Sequence, residues 1–328
     1  MRQFFSGTLS VRRRFLHCIA AGLLALPLSA KAADPLKEIR IDWATYNPVS
    51  LVLKDQKLLE KEFEKDGISI KWVQSAGSNK ALEFLNAGSL DLGSSAGAAA
   101  LIAKINGNPI KSIYVYSRPE WTALVTKSAE IKTVADLKGK RVAVTRGTDP
   151  HIFLVRTLAG AGLSEKDVKL VLLQHADGRT ALERGDVEAW AGLDPIMASA
   201  EVESGARLFY RKAEDNTWGV LNAREDFARD YPEIVKRVLA TYEKARLWSL
   251  ANPKELSKSL VDATKLSEAV IAKQLERTEL THGPIGAAQA DTIIAAGLAL
   301  QDGGVVKTDV DIKGVVKALI DPSYLPAR

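Results

Sequence analysis

Hydrophobic and polar positions follow two rhythms along this chain, and the switches between them locate the elements. Ile39, Ile41, Ile68, Ile70 and Trp72 alternate with polar neighbours, and residues 90–92 and 110–116 are short apolar runs; all read as strands. Between them Leu51, Val52, Leu58, Leu59 and Phe63, then Leu82 and Leu85, recur at helical spacing. Asn47 before Pro48 predicts a cap and a preset first turn. Residues 98–105 are small or apolar on every side, which predicts a buried helix. Polar turns at 74–79 and at Gly93-Ser94-Ser95-Ala96-Gly97 separate these units. Three consecutive strand–helix units predict a parallel sheet whose turns share one edge.

The rhythm repeats further on. Residues 121–125, 142–145, 168–173, 187–193 and 207–210 read as strands, with a short helix at 133–137. Ile152, Phe153, Val155 and Leu158 form a helix face after Arg146-Gly147-Thr148-Asp149-Pro150. There Gly147 suits a tight turn, Thr148 or Asp149 can cap, and Pro150 presets the first turn. Asp177-Gly178 opens a helix carrying Ala181 and Leu182. Residues 218–222 read as a strand returning to the first set, and the chain beyond is helical over 232–250, 256–264, 267–280, 287–300 and 310–320. The expected architecture is α/β with two lobes. Residues 34–125 and 219–328 form lobe I, and residues 126–218 form an inserted lobe II. No Pro/Gly/Ser-rich linker marks either crossing, which suggests a hinge.

Composition narrows the function. The chain has 328 residues, 46% hydrophobic and 26% charged, enough for two cores. The net charge of +5 comes from the first residues: Arg2, Arg12, Arg13, Arg14 and Lys31 precede Asp34, the first acid, leaving 45 − 5 = 40 basic against 40 acidic residues. The chain therefore presents no nucleic-acid surface. Residues 1–32 read as a cleaved export signal. Arg12-Arg13-Arg14-Phe15-Leu16 is twin-arginine-like, the apolar run 19–28 is too short to span a bilayer, and Ala30-Lys31-Ala32 suits a signal peptidase. A general secretory signal fits the same stretch. Cys18 is the only cysteine, so the mature chain has no thiol.

Little here suggests catalysis. His17, His151, His175 and His282 stand apart, with no metal-ligand spacing, and there is no nucleophile elbow and no phosphate loop. No catalytic residue, metal or cofactor is expected. The turns are more telling as a set. Tyr46-Asn47, the turn at 75–78, Ser94-Ser95, residues 148–151 and Asp194 each follow a strand, and together they predict a cleft rich in hydroxyls and free amides. Trp43, Trp121, Trp190 and Trp218 lie near strand ends or crossings.

Three motifs carry a resemblance. Asn86-Ala87-Gly88-Ser89-Leu90-Asp91-Leu92-Gly93, then Ile131-Lys132-Thr133-Val134-Ala135-Asp136-Leu137-Lys138-Gly139-Lys140, then Gly185-Asp186-Val187-Glu188-Ala189-Trp190 with Asp194-Pro195, resemble periplasmic substrate-binding proteins of ABC importers, of the aliphatic-sulfonate and taurine type. The resemblance implies a type II periplasmic-binding-protein fold and a monomer. It would hold a sulfonate-like or zwitterionic solute between its lobes and deliver it to an inner-membrane ABC permease. Matched position by position, it implies binding by Tyr46, Asn47, Gly77, Ser78, Ser94, Ser95, Gly147, Thr148, His151, Trp190 and Asp194. The family usually carries Gly-Ser-Ser or Gly-Ser-Thr where this chain has Gly147-Thr148-Asp149-Pro150. A capping Asp149 would occupy the amides a sulfonate needs and repel its charge, so a zwitterion whose ammonium meets Asp149 or Asp194, or a less charged organic molecule, fits as well as a simple alkanesulfonate. The alternatives are a same-fold enzyme of thiamine-pyrimidine synthesis and a partner that signals ligand occupancy to a membrane sensor.

Overall fold

Ile39 and Ile41 are buried while Arg40 between them is partly exposed, and that alternation makes the first strand, β1 (Glu38–Trp43). The computed structural model describes residues 35–281 and 284–325, so the export segment and His282 lie outside the described residues. Asn47 caps α1 (Pro48–Asp55) by accepting from the Ser50 amide at 3.2 Å, as Asn-Pro predicts. The chain continues through α2 (Leu58–Phe63), β2 (Ser69–Gln74), α3 (Ser78–Asn86), β3 (Leu92–Ala96), α4 (Gly97–Ile105) and β4 (Ile110–Pro119). There follow β5 (Thr122–Thr126), β6 (Arg141–Val144), α5 (Asp149–Gly160), β7 (Lys169–Leu172), α6 (His175–Arg184), β8 (Ala189–Leu193), α7 (Ile196–Ser204) and β9 (Arg207–Tyr210). The last part comprises β10 (Gly219–Arg224), α8 (Glu225–Asp230), α9 (Pro232–Ala251), α10 (Pro253–Thr264), α11 (Glu268–Glu276), β11 (Thr278–Glu279), α12 (Ala287–Asp302) and α13 (Ile312–Leu319). No helix among the described residues is long and apolar enough to cross a membrane.

The strands form two sheets, ordered β11-β4-β10-β3-β1-β2 and β7-β6-β8-β5-β9. β1, β2 and β3 run parallel, as do β6, β7 and β8. The strand that follows each crossing enters antiparallel to its neighbours: β5 beside β8 and β9, and β10 beside β3 and β4. β5 thus belongs to the second sheet, and the first crossing falls at Glu120 and Trp121 rather than after residue 125. β5 is buried along its whole length, so its apolar run carries no sign of which sheet it joins.

Two further differences matter for the site. Residues 93–96 are not a turn but the body of β3, where Ser94 and Ser95 pair with Leu221 and Val220 of β10. The helix expected over 267–280 ends at Glu276, and β11 pairs with Arg118 and Pro119.

One large core joins the first sheet to the carboxyl-terminal helices, and two smaller clusters pack about the second sheet. The lobes also share apolar packing. Ile152 and Val155 of α5 belong to the first lobe's core, and α5 lies against α12 and α4. On another side, α11 packs on α7.

Candidate ligand-binding site between the lobes

Two helix starts from opposite lobes meet without side-chain caps. β2 leads through Gly77 into α3, and β7 leads through Gln174 into α6; neither helix has a capping hydrogen bond from its N-cap side chain. A methyl group built on Gly77 would lie 2.9 Å from His175 Nε2 and 2.9 Å from Asn79 Oδ1, so the two starts are in contact. A third start, that of α5 behind Thr148, also lacks a side-chain cap. Gly147 ahead of it has φ of +78°, a conformation that favours glycine, and its added methyl would stand 3.8 Å from the Asn79 side chain. The starts of three helices, none of them capped by a side chain, converge on one place, and their positive ends favour an anion.

His175 is buried to 1% exposure, and its Nδ1 lies 3.2 Å from Thr145 Oγ1. Its Nε2, facing Gly77, has no hydrogen-bond partner, and neither does Asn79 Oδ1. Burial alone depresses the imidazole pKa to about 3, so the ring is neutral. Sequence reasoning named neither residue as a contact. The available signal was position: each opens a helix just after a strand.

Most of the expected side chains serve the scaffold. Asn47 caps α1, and its Nδ2 donates to Tyr242 Oη at 3.4 Å. Tyr46 Oη donates to the Ser94 carbonyl at 3.0 Å. Ser94 donates its amide to Asp42 Oδ1 at 2.9 Å, and its hydroxyl stands 2.8 Å from Asp42 Oδ2. Burial pushes the Asp42 carboxyl up to about 7, against those hydrogen bonds. Ser95 Oγ accepts from Asn222 Nδ2 at 2.8 Å, and Ser78 Oγ accepts from the Ala96 amide at 3.0 Å. Thr148 Oγ1 donates to the Thr145 carbonyl at 2.6 Å. The hydroxyls expected to face a ligand therefore have internal partners, and it is the backbone at Gly77 and Gly147 that comes up against Asn79.

Three other residues are turned elsewhere. His151 Nε2 lies 2.8 Å from Glu165 Oε1, and that contact lowers the Glu165 pKa. Trp190 is fully buried in a second-lobe core cluster with Val125, Ala143 and Leu182, and its indole lies over Gly178, where an added methyl would approach Nε1 to 2.7 Å. Asp194 Oδ1 accepts from the Ala198 amide at 2.9 Å, and Oδ2 lies 3.6 Å from Arg277 Nη1. Arg277 also pairs with Glu201 of α7. From the same segment Gln274 Nε2 donates to the Thr45 carbonyl at 2.7 Å, so the end of α11 grips both lobes.

Asp149 departs most from expectation. It does not cap α5; Thr148 holds the N-cap position. The Asp149 carboxylate accepts from Trp121 Nε1 at 2.8 Å, and from the Thr217 amide and hydroxyl at 2.9 and 2.7 Å. Those donors lie in the two crossings. The carboxylate is therefore taken up by the crossings and not by the first turn of α5, where Pro150 has no N–H and the His151 amide donates to the Thr148 carbonyl at 3.1 Å.

The family model described as "NMT1/THI5 like" matches residues 62–256. The chain belongs to that family. It is 32% identical over 282 residues to a putative aliphatic sulfonates-binding protein of Escherichia coli, covering 84% of this chain and 87% of the relative. Among solved structures it is similar to the alkanesulfonate-binding protein SsuA from Xanthomonas axonopodis pv. citri bound to MOPS, at TM-score 0.79 and 27% identity, covering 88% of this chain and 99% of that one. The periplasmic aliphatic sulphonate binding protein SsuA of Escherichia coli matches at TM-score 0.73 and 28% identity, over 86% of this chain and 98% of that one. The α/β fold with two sheets and a helical carboxyl-terminal region is that of these binding proteins, and relatives this close are binding proteins rather than enzymes.

Proposed function

We propose that this protein captures a small organosulfonate between its lobes and delivers it, chemically unaltered, to an ABC-type permease in the inner membrane. The observation that carries the reading is the apposition of uncapped α3 and α6 beside Gly77 and His175. A sulfonate has three acceptor oxygens and can take several amide hydrogens at once. Helix starts supply those hydrogens and a favourable field without a counter-cation. The names of the similar proteins point to the same ligand class. Gly77, Ser78, Asn79, Gly147, Thr148 and His175 form the contact set on this reading. Closure is selected because only the closed arrangement presents both lobes' groups together. The segment 1–32 exports the chain, which works in the periplasm as a monomer.

Thermal unfolding of the purified protein with short alkanesulfonates, and separately with sulfate and carboxylates of equal chain length, tests this. A sulfonate at 100 times its Kd adds about 2.7 kcal/mol of stability. Stabilisation by carboxylates or sulfate but by no sulfonate contradicts the reading.

A further inference from the structure

We propose that His175, together with Asn79, makes this site prefer sulfonates whose carbon chain carries an N–H or O–H donor over plain alkanesulfonates. The proposal rests on the sulfonate reading above and adds a selectivity to it.

Thr145 fixes the tautomer of His175. Its Oγ1 lies 2.7 Å from the Leu173 carbonyl, and a carbonyl can only accept, so the hydroxyl hydrogen is committed there. The contact between Thr145 Oγ1 and His175 Nδ1 at 3.2 Å then requires Nδ1 to carry the hydrogen. The neutral ring therefore presents a bare lone pair at Nε2, aimed at Gly77 and without a partner. Asn79 Oδ1, a second acceptor without a partner, faces the same spot. Two acceptors around one point repel a sulfonate oxygen and suit a donor. The helix amides nearby suit the sulfonate itself. The site thus has an anion end and an acceptor end, and an alkyl chain at the acceptor end leaves both lone pairs buried and unmet, which is costly.

Nothing around the ring supplies charge to alter this. Facing it are Thr145 beyond β6, and Gly77 and Asn79 of lobe I. On α6 itself Asp177 is exposed, and Arg179 is turned to Glu183 and to Ser199 and Glu203 of α7. On β8 the neighbour of α6 is the uncharged Trp190. Burial is the sole influence that moves the ring's pKa, and it moves it downward.

Calorimetric titration of the full chain with 2-aminoethanesulfonate, 2-hydroxyethanesulfonate and 1-propanesulfonate, which match in heavy-atom count, provides the test. The two donor-bearing ligands bind about tenfold or more tighter than propanesulfonate, the worth of a hydrogen bond to a buried acceptor. His175→Phe keeps an aromatic ring and lacks the nitrogen, and there the ratio falls towards one. His175→Gln restores an acceptor and recovers part of the preference. Acidification gives an independent sign. Closure over a donor needs the neutral ring, and burial holds the ring's pKa at about 3, so affinity for 2-aminoethanesulfonate falls only as pH drops towards that value. Equal affinities in the wild type, a preference for propanesulfonate, a ratio unchanged in His175→Phe, or affinity that rises on acidification each overturns the proposal. Tight binding of all three ligands without preference leaves the sulfonate reading standing. Binding of none removes both. If the variants fail to fold, the wild-type ratio and the sign of the pH effect decide.

Discussion

Trp121 Nε1 donates to Asp149 Oδ2 at 2.8 Å, and this one bond ties the outgoing crossing between the lobes to the start of α5. The same carboxylate holds the return crossing through Thr217. Asp149→Ala strands three buried donors at once and is expected to cost about 3 kcal/mol, whereas Trp121→Phe removes one and costs about 1 kcal/mol beyond any packing change. Urea unfolding of both variants checks the ratio. Equal losses contradict a shared anchor at Asp149.

The Asp42 carboxyl gives a pH signature. In the unfolded chain it ionises near the ordinary value of 3.8, and in the folded protein burial holds the proton to about pH 7. Between those values the native state carries one proton more than the unfolded state at this position. Its contribution to stability is therefore largest at the acid end and is lost as pH rises through the folded pKa. Within that window it lowers stability by about 1.4 kcal/mol per pH unit. Asp42→Asn removes that slope. Unfolding free energies of wild type and variant, measured at several pH values, should converge at high pH less than at low pH relative to the wild-type maximum; parallel curves contradict the assignment.

Arg277 is the only cation that the described ion pairs place against Asp194. Arg277→Met leaves a buried carboxyl without its counter-charge, and about 3 kcal/mol of stability is expected to go well above pH 7, where that carboxyl is ionised in the wild type. The loss shrinks on acidification, because the Asp194 carboxyl, already pushed up to about 7 by burial, takes a proton. Thermal unfolding at two pH values measures this. A loss independent of pH contradicts the pairing.

Gly178→Ala separates core from cleft. Alanine ordinarily favours a helix over glycine by about 1 kcal/mol. Here its methyl would meet Trp190 Nε1 at 2.7 Å, and the overpacking is expected to cost about 2 kcal/mol instead. Chemical unfolding reads the sign. Sulfonate affinity should be unchanged, since Trp190 is core; an affinity change without a stability change would return Trp190 to the site.

The alternation of apolar positions made β1, β2 and the capped α1 legible, and the turns after β2 and before α5 stood out as places for free amides. What was not legible depends on contacts between distant segments. β5 is apolar on both faces, so its own residues do not say which sheet it joins. Gly93-Ser94-Ser95-Ala96 has a turn's composition and becomes a strand only because β10 pairs with it. Asp149 beside Pro150 reads as a local cap, yet Trp121 and Thr217 outcompete the helix amides for its oxygens. Likewise His175 looks like an isolated histidine until the lobes bring Gly77 and Asn79 against it.

The most direct measurement is a calorimetric titration of 2-aminoethanesulfonate into the wild type and into Gly77→Val. A side chain at residue 77 enters the contact with His175 Nε2 and Asn79 Oδ1, so it wedges the lobes apart where the ligand is held. The account predicts binding in the wild type and a loss of about 100-fold or more in a variant that still unfolds cooperatively, equivalent to about 2.7 kcal/mol. Unchanged affinity in Gly77→Val would place the ligand elsewhere and contradict a site between α3 and α6.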